Sequence, residues 1–201
     1  MAAKNKGEPD ASRAHRFVAL SDSSLPQGTE RAVIGSLDGK GLRVAIACSR
    51  FNFDIGTRLF EGARATALRR GVLESDLSVV FVPGAFELPM AAKALATSGE
   101  TDAVVCLGAI IRGETSHYDL IATQAAAGCE KVQLETGVPV AFGILTTENT
   151  RQALARSGGA QGNLGAQAMD SAIEMARLLE ALKHVGPRLK DAGPSSLERA
   201  R

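Results

Sequence analysis

The stretch Leu107-Gly-Ala-Ile-Ile-Arg-Gly-Glu-Thr-Ser-His-Tyr-Asp119 joins the end of an apolar run to a segment of helical period. The apolar part, Ala103 to Ile111, is continuous rather than alternating, which is the pattern of a strand buried on both faces in a parallel sheet. Polarity changes abruptly at Arg112. The loop Gly113-Glu114-Thr115-Ser116 then places hydroxyls and backbone N–H groups at a helix N-terminus, a setting that suits phosphate. It has neither Walker nor GxGxxG spacing, and a plain strand-to-helix turn is the commoner reading of such a loop.

Working outward from this junction, the same alternation recurs. Apolar runs are expected at 42–47, 77–82, 103–111 and 138–145. Each is followed by a polar or Gly-rich loop and then a segment of helical period, giving helices at about 54–70, 88–97, 117–135 and 147–156, with Thr147 as N-cap of the last. A final amphipathic helix should run to about Leu182. This is the alternation of an α/β domain with a parallel sheet. Right-handed crossovers bring every strand-to-helix loop to one edge of such a sheet, where open α/β proteins bind ligands. The loops SRFN (49–52), PGAFE (83–87) and RGETSHYD (112–119) all fall there.

The 201 residues, 45% hydrophobic and 22% charged, suit one domain with tails. Residues 1–31 read as a mobile arm, 32–182 as the domain and 183–201 as a mobile tail; 32–37 (AVIGSL) has the composition of a short strand. A formal net charge of +1 without a Lys/Arg block gives no electrostatic reason to expect nucleic acid or an anionic membrane. Three cysteines within or beside apolar elements, with no CxxC, read as reduced thiols rather than as a metal site. The sequence shows no signal-peptide core or bilayer-length apolar run, so the cytoplasm is the expected compartment.

Among single residues, His117 is the only imidazole in the expected domain, since His15 and His184 fall in the tails. It reads either as a general acid/base or as a histidine at a helix start with a local hydrogen bond. Phe51, beside Asn52 in a polar loop, is either a stacking ring or a cover for the core. Glu87 is either a ligand for ring N–H and hydroxyl groups or a helix cap. Arg156 is either a phosphate ligand or a cation favoured at a helix C-terminus. Cys48 reads as a small buried residue, with a nucleophilic thiol as the alternative.

Five motifs, SRFN, VPGAFELP, LGAIIRGETSHYD, PVAFGILTTENTRQALARSG and GNLGAQAMDSAIEM, occur in one order and spacing. Together the segment of about 32–182 resembles the lumazine synthases of riboflavin biosynthesis. The resemblance implies a three-layer αβα sandwich, flavodoxin-like, with a four-stranded parallel sheet and an N-terminal strand added to a neighbouring subunit. It further implies condensation of 5-amino-6-(D-ribitylamino)uracil with 3,4-dihydroxy-2-butanone 4-phosphate, giving 6,7-dimethyl-8-ribityllumazine, phosphate and water, without cofactor or metal.

Carried over by motif, Phe51 would stack on the pyrimidine with Asn52 assisting, and Ala85, Phe86 and Glu87 would contact the ring and ribityl chain. Ala109, Ile110 and Ile111 would line the pyrimidine pocket, Glu114 and Thr115 would hold phosphate, and His117 would donate a proton. Phe142 and Arg156 would come from an adjacent subunit. The resemblance therefore implies self-association, as pentamers or a sixty-subunit shell, and riboflavin synthase as a pathway partner. One departure stands out: many members have Lys where this chain has Leu164, and often another at Ala160.

Overall fold

The computed structural model describes residues 32–190, with side chains to His184. The expected arm, 1–31, and the tail beyond residue 190 lie outside the described residues. Four parallel strands, β1 (Val44–Ser49), β2 (Leu77–Val82), β3 (Ala103–Ile111) and β4 (Val140–Thr147), form one sheet in the order β2-β1-β3-β4. Helices α1 (Phe53–Arg69) and α5 (Leu164–Lys190) cover one face, and α2 (Leu88–Ala96) and α3 (His117–Thr136) cover the other. This is the flavodoxin-like three-layer arrangement, and the expected fold class is borne out.

The sheet sorts its side chains by the period of two that extended chain imposes. From β1, Val44, Ile46 and Cys48 enter the α1/α5 core while Ala45 and Ala47 enter the α2/α3 core. From β3, Val105, Leu107 and Ala109 go to the first and Val104, Cys106 and Ile110 to the second. Both layers are apolar, which is why these strands read as continuous apolar runs. All three cysteines are buried free thiols. Pro89 occupies the first turn of α2, where no helical N–H is lost.

Several boundaries differ from the sequence reading. Thr147 is the last residue of β4 and not a helix cap; α4 (Thr150–Arg156) begins after Asn149, whose side chain accepts the Gln152 N–H at 3.0 Å. The Gly-rich segment after α4 holds a two-stranded hairpin, β5 (Ser157–Gly159) with β6 (Gly162–Asn163), where a loop was expected. Helix α5 continues past Leu182 to Lys190, through Gly186 and Pro187. Apolar periodicity stops at Leu182 because 182–184 are exposed, yet the helical backbone continues to Lys190. Residues 32–37 belong to no ladder among the described residues; Gly35 sits against the Glu174 carbonyl of α5, where a Cβ would collide.

Gly108, in the middle of β3, is required by close approach: a Cβ there would lie 2.5 Å from Ser49 Oγ at the end of β1. That hydroxyl is buried and lacks a hydrogen-bond partner among the described residues. Gly108→Ala should therefore lose about 1–3 kcal/mol of stability, the usual cost of overpacking. Ser49→Ala removes both the obstruction and an unsatisfied buried oxygen. In urea titrations the double variant should recover most of the loss, and Ser49→Ala alone should be no less stable than the native chain.

Candidate active site

The strand order reverses between β1 and β3, since the chain leaves β1 for β2 on one side and β3 for β4 on the other. Crevices form at the carboxyl ends of strands at such a point. Here the crevice is a cavity of about 680 Å³, and the strand-to-helix loops supply its walls.

The β1 loop is fastened to both neighbours. Arg50 N–H donates to the Val82 carbonyl at 2.9 Å, Phe51 N–H to the Pro83 carbonyl at 3.2 Å, and Asn52 Nδ2 to the Ala109 carbonyl at 2.8 Å. Asn52 is the only non-glycine residue with positive φ among the described residues (φ 56°, ψ 48°). The left-handed region tolerates asparagine better than most side chains. With the loop so held, Phe51 is 71% exposed and lines the cavity. It is not a cover for the core.

Opposite Phe51, a short 3-10 turn (Ala85–Glu87) brings Ala85, Phe86 and Glu87 into the cavity wall. Glu87 Oε2 accepts the Gly84 N–H at 2.8 Å, so its capping role and its place in the wall coexist. A Cβ on Gly84 would lie 3.1 Å from both the Phe51 ring and the Glu87 carboxylate. Glycine is what lets the two loops approach this closely.

The floor is the end of β3, with Ala109 and Ile110 buried and Ile111 half-buried. Thr115 and His117 complete the wall at the start of α3, where the His117 N–H donates to Thr115 Oγ1 at 3.4 Å. The His117 imidazole makes no hydrogen bond among the described residues. Glu114 is exposed and outside the lining. Tyr118 and Ile121 belong to the wall and were not anticipated, although Ile121 follows His117 by one helical turn and shares its face.

Besides Glu114, the two residues expected from an adjacent subunit are also absent from this lining. Phe142 sits in the body of β4, opposite Cys106 and packed against the α2/α3 core. Arg156 ends α4, exposed, with its guanidinium donating to the Gln152 carbonyl at 3.2 Å. Leu164, at the start of α5, is half-buried and packs against the α1/α5 core. Cys48 is excluded as a nucleophile: burial pushes its thiol up to about 11, which keeps it protonated near neutrality.

A second cavity, about 640 Å³, lies near the amino ends of the strands, between α5 and the connections into β1, β3 and β4. Its charged groups largely answer one another. Asp102 pairs with Arg43 at 3.0 Å and Glu180 with Arg177 at 2.7 Å. Arg177 also donates to the carbonyls of Asp38 and Lys40, holding the chain before β1 onto α5. The first cavity, with an exposed aromatic ring, an imidazole and a helix N-terminus, is the one equipped for chemistry.

These features define an α/β protein with a candidate small-molecule site at the switch point of its parallel sheet. Over residues 41–180, more than half of the chain, the sequence matches the family model for 6,7-dimethyl-8-ribityllumazine synthase, and the chain belongs to that family. Every candidate site residue from Phe51 to Arg156 falls inside the match. Among the described residues no helix is long and apolar enough to cross a membrane.

Because Asn52 combines left-handed backbone with the bond to Ala109, Asn52→Ala should cost about 1–2 kcal/mol by chemical denaturation. Asn52→Gly, which relieves the backbone but not the lost bond, should cost less than Asn52→Ala.

Proposed function

We propose that this chain is a transferase that condenses 5-amino-6-(D-ribitylamino)uracil with 3,4-dihydroxy-2-butanone 4-phosphate, yielding 6,7-dimethyl-8-ribityllumazine, phosphate and water. The observation that carries the reading is the single cavity in which the Phe51 ring, the Glu87 carboxylate, the β3 end and the His117 imidazole converge. A planar pyrimidine fits beside Phe51 over Ala109, Ile110 and Ile111, with Glu87 accepting from ring or ribityl donors. The phosphate fits at the first turn of α3, whose positive dipole end favours an anion. Thr115 adds a hydroxyl there, and Glu114 contributes through its backbone.

The chemistry asks for positioning and proton transfer. Imine formation between the amine and the ketone, loss of phosphate and ring closure each move protons between reactants already in contact. Holding the reactants together supplies much of the acceleration. His117 follows the Glu114–Thr115 loop in sequence, lines the same cavity as the β3 end, and serves as the proton donor.

The site is completed by a second copy of the chain. Phe142 and Arg156 stand away from the cavity of their own subunit and are assigned to a neighbour's, where Phe142 covers the ring and Arg156 meets the phosphate. The outer edge of β2 supports association: among the described residues β2 has a ladder partner on one side only, and Phe53, Val79 and Phe81 are exposed beside it. A strand from the region 32–37 of a neighbour is the proposed partner of that edge. Pentamers are the proposed unit and a sixty-subunit shell the proposed assembly, with riboflavin synthase as pathway partner. Light scattering that finds only pentamers across assay conditions would remove the shell.

A second reading, a shell protein that binds lumazine or flavin without turnover, is favoured by one observation: Leu164 packs on the apolar core and brings no charge to the phosphate end. An absorbance assay for lumazine formation on purified protein separates the two. Turnover that falls about 10²–10⁴-fold in His117→Ala supports the enzyme. Ligand binding without turnover supports the shell. For an active enzyme, Leu164→Lys should lower the KM for the phosphate substrate by about tenfold or more, the worth of a charge-assisted hydrogen bond. An unchanged KM would mean that the missing charge does not limit binding.

A further inference from the structure

Arg112, the first residue beyond β3, is the cation nearest in sequence to the proposed phosphate loop, yet its guanidinium is engaged elsewhere. Nη1 and Nη2 donate to the two carboxylate oxygens of Asp119 at 3.1 and 2.9 Å. Nε meets Glu148 Oε2 at 2.8 Å. The guanidinium carbon also lies 4.1 Å from the centre of the Tyr118 ring, whose residue lines the cavity. Its backbone N–H continues the sheet, donating to the Thr147 carbonyl at 2.9 Å.

One side chain thus ties together three parts of the site's surroundings: the first turn of α3 through Asp119, the end of β4 through Glu148, and a wall residue through its stacked face. The loop 113–116 is spanned by this clamp, anchored at Arg112 on one side and at Asp119 on the other. The Asp119 N–H to Ser116 carbonyl bond at 3.1 Å closes the same turn. Two carboxylates face one guanidinium, so the cluster has no net positive charge to offer a phosphate. The pairing holds Asp119 below the usual carboxylate range and raises Arg112 further.

We infer that Arg112 is a positioning residue, bracing the 113–116 loop and the start of α3 through Asp119, Glu148 and Tyr118 so that His117 is aligned with the bound substrates, rather than a phosphate ligand. This rests on the proposed condensation. Exposed ion pairs contribute little to global stability, so loss of the clamp should act on alignment and not on folding. The two-toothed pairing also needs the planar fork of arginine, which lysine lacks.

The test compares Arg112→Gln, Arg112→Lys, Asp119→Asn and the Arg112→Gln/Asp119→Asn double variant in the full-length chain. Thermal midpoints should stay near that of the native protein. In the two single variants that break the clamp, kcat should fall roughly 10- to 100-fold, the scale of a small misplacement of reacting groups. The double variant should be no worse than the poorer single, because both remove one interaction. Arg112→Lys should restore little. KM for the phosphate substrate, and inhibition by inorganic phosphate, should stay close to native. Deuterium uptake should rise in peptides spanning 112–120 and not in α5.

Inhibition by inorganic phosphate that weakens about tenfold or more in Arg112→Gln, while Asp119→Asn leaves it intact, would make Arg112 a phosphate ligand and overturn the inference. An unchanged kcat in Arg112→Gln would overturn it equally. Absence of turnover in the native chain would defeat the proposed function instead; the exchange measurement would then decide the bracing by itself.

Discussion

Strand β3 runs for nine residues between two helical layers, its first eight buried and only Ile111 half-open to solvent. Backbone at that depth is stable only when its N–H and C=O groups are paired, because an orphaned group costs about 1–3 kcal/mol. Strands on both sides are therefore obligatory, and β1 and β4 supply them. Since helices cover both faces, the connections are crossovers and the strands parallel. The carboxyl ends then fall on one edge. Polar residues that cannot enter β3 gather immediately after it, and the candidate active site is built from them together with the loops that end β1 and β2.

The sequence made the layers legible because burial on both faces leaves an unmistakable apolar run, and β2 and β3 have the bounds read from it. Local signals were weaker where a competing residue lay nearby. Thr147 and Asn149 are both good helix caps, and the later one wins because β4 needs Thr147 to finish its ladder with Ile111. The 157–163 segment read as loop because glycine hides a hairpin: no side chains report an alternation. Glu87 posed a false choice between cap and ligand wall, since one oxygen can cap while the residue still lines the cavity. The Arg112 clamp was not legible, because Glu148 lies 36 residues further along the chain and meets Arg112 only when β3 and β4 pair. For Phe142 and Arg156, the neighbour role rests on the motif resemblance alone, since neither lines the cavity of its own subunit.

The electrostatics of the site are divided. Cationic charge near the 113–116 loop is spent or missing: Arg112 is held by two carboxylates, and Leu164 is apolar. What remains within one chain is the positive end of α3, where the Ser116 side chain makes no capping bond and the His117 N–H has only the Thr115 hydroxyl at 3.4 Å. An anion would be gripped by backbone amides first. Such donors are fixed by the helix and need no reorganisation when charge shifts during a reaction.

The uncovered side of β2 carries a consequence for how the chain is born. The row of N–H and C=O groups beside Phe53, Val79 and Phe81, unpaired among the described residues, is a template for any extended apolar segment, including another unfinished copy of the same chain. Until the edge is capped, correct pairing competes with indiscriminate pairing, and the outcome depends on how fast chains emerge relative to how fast they meet. Slow synthesis at low temperature gives the edge time to find its own partner, whereas rapid overproduction floods the cell with open templates. The feature that would tie subunits together is thus also the point at which recombinant material is most readily lost to inclusion bodies.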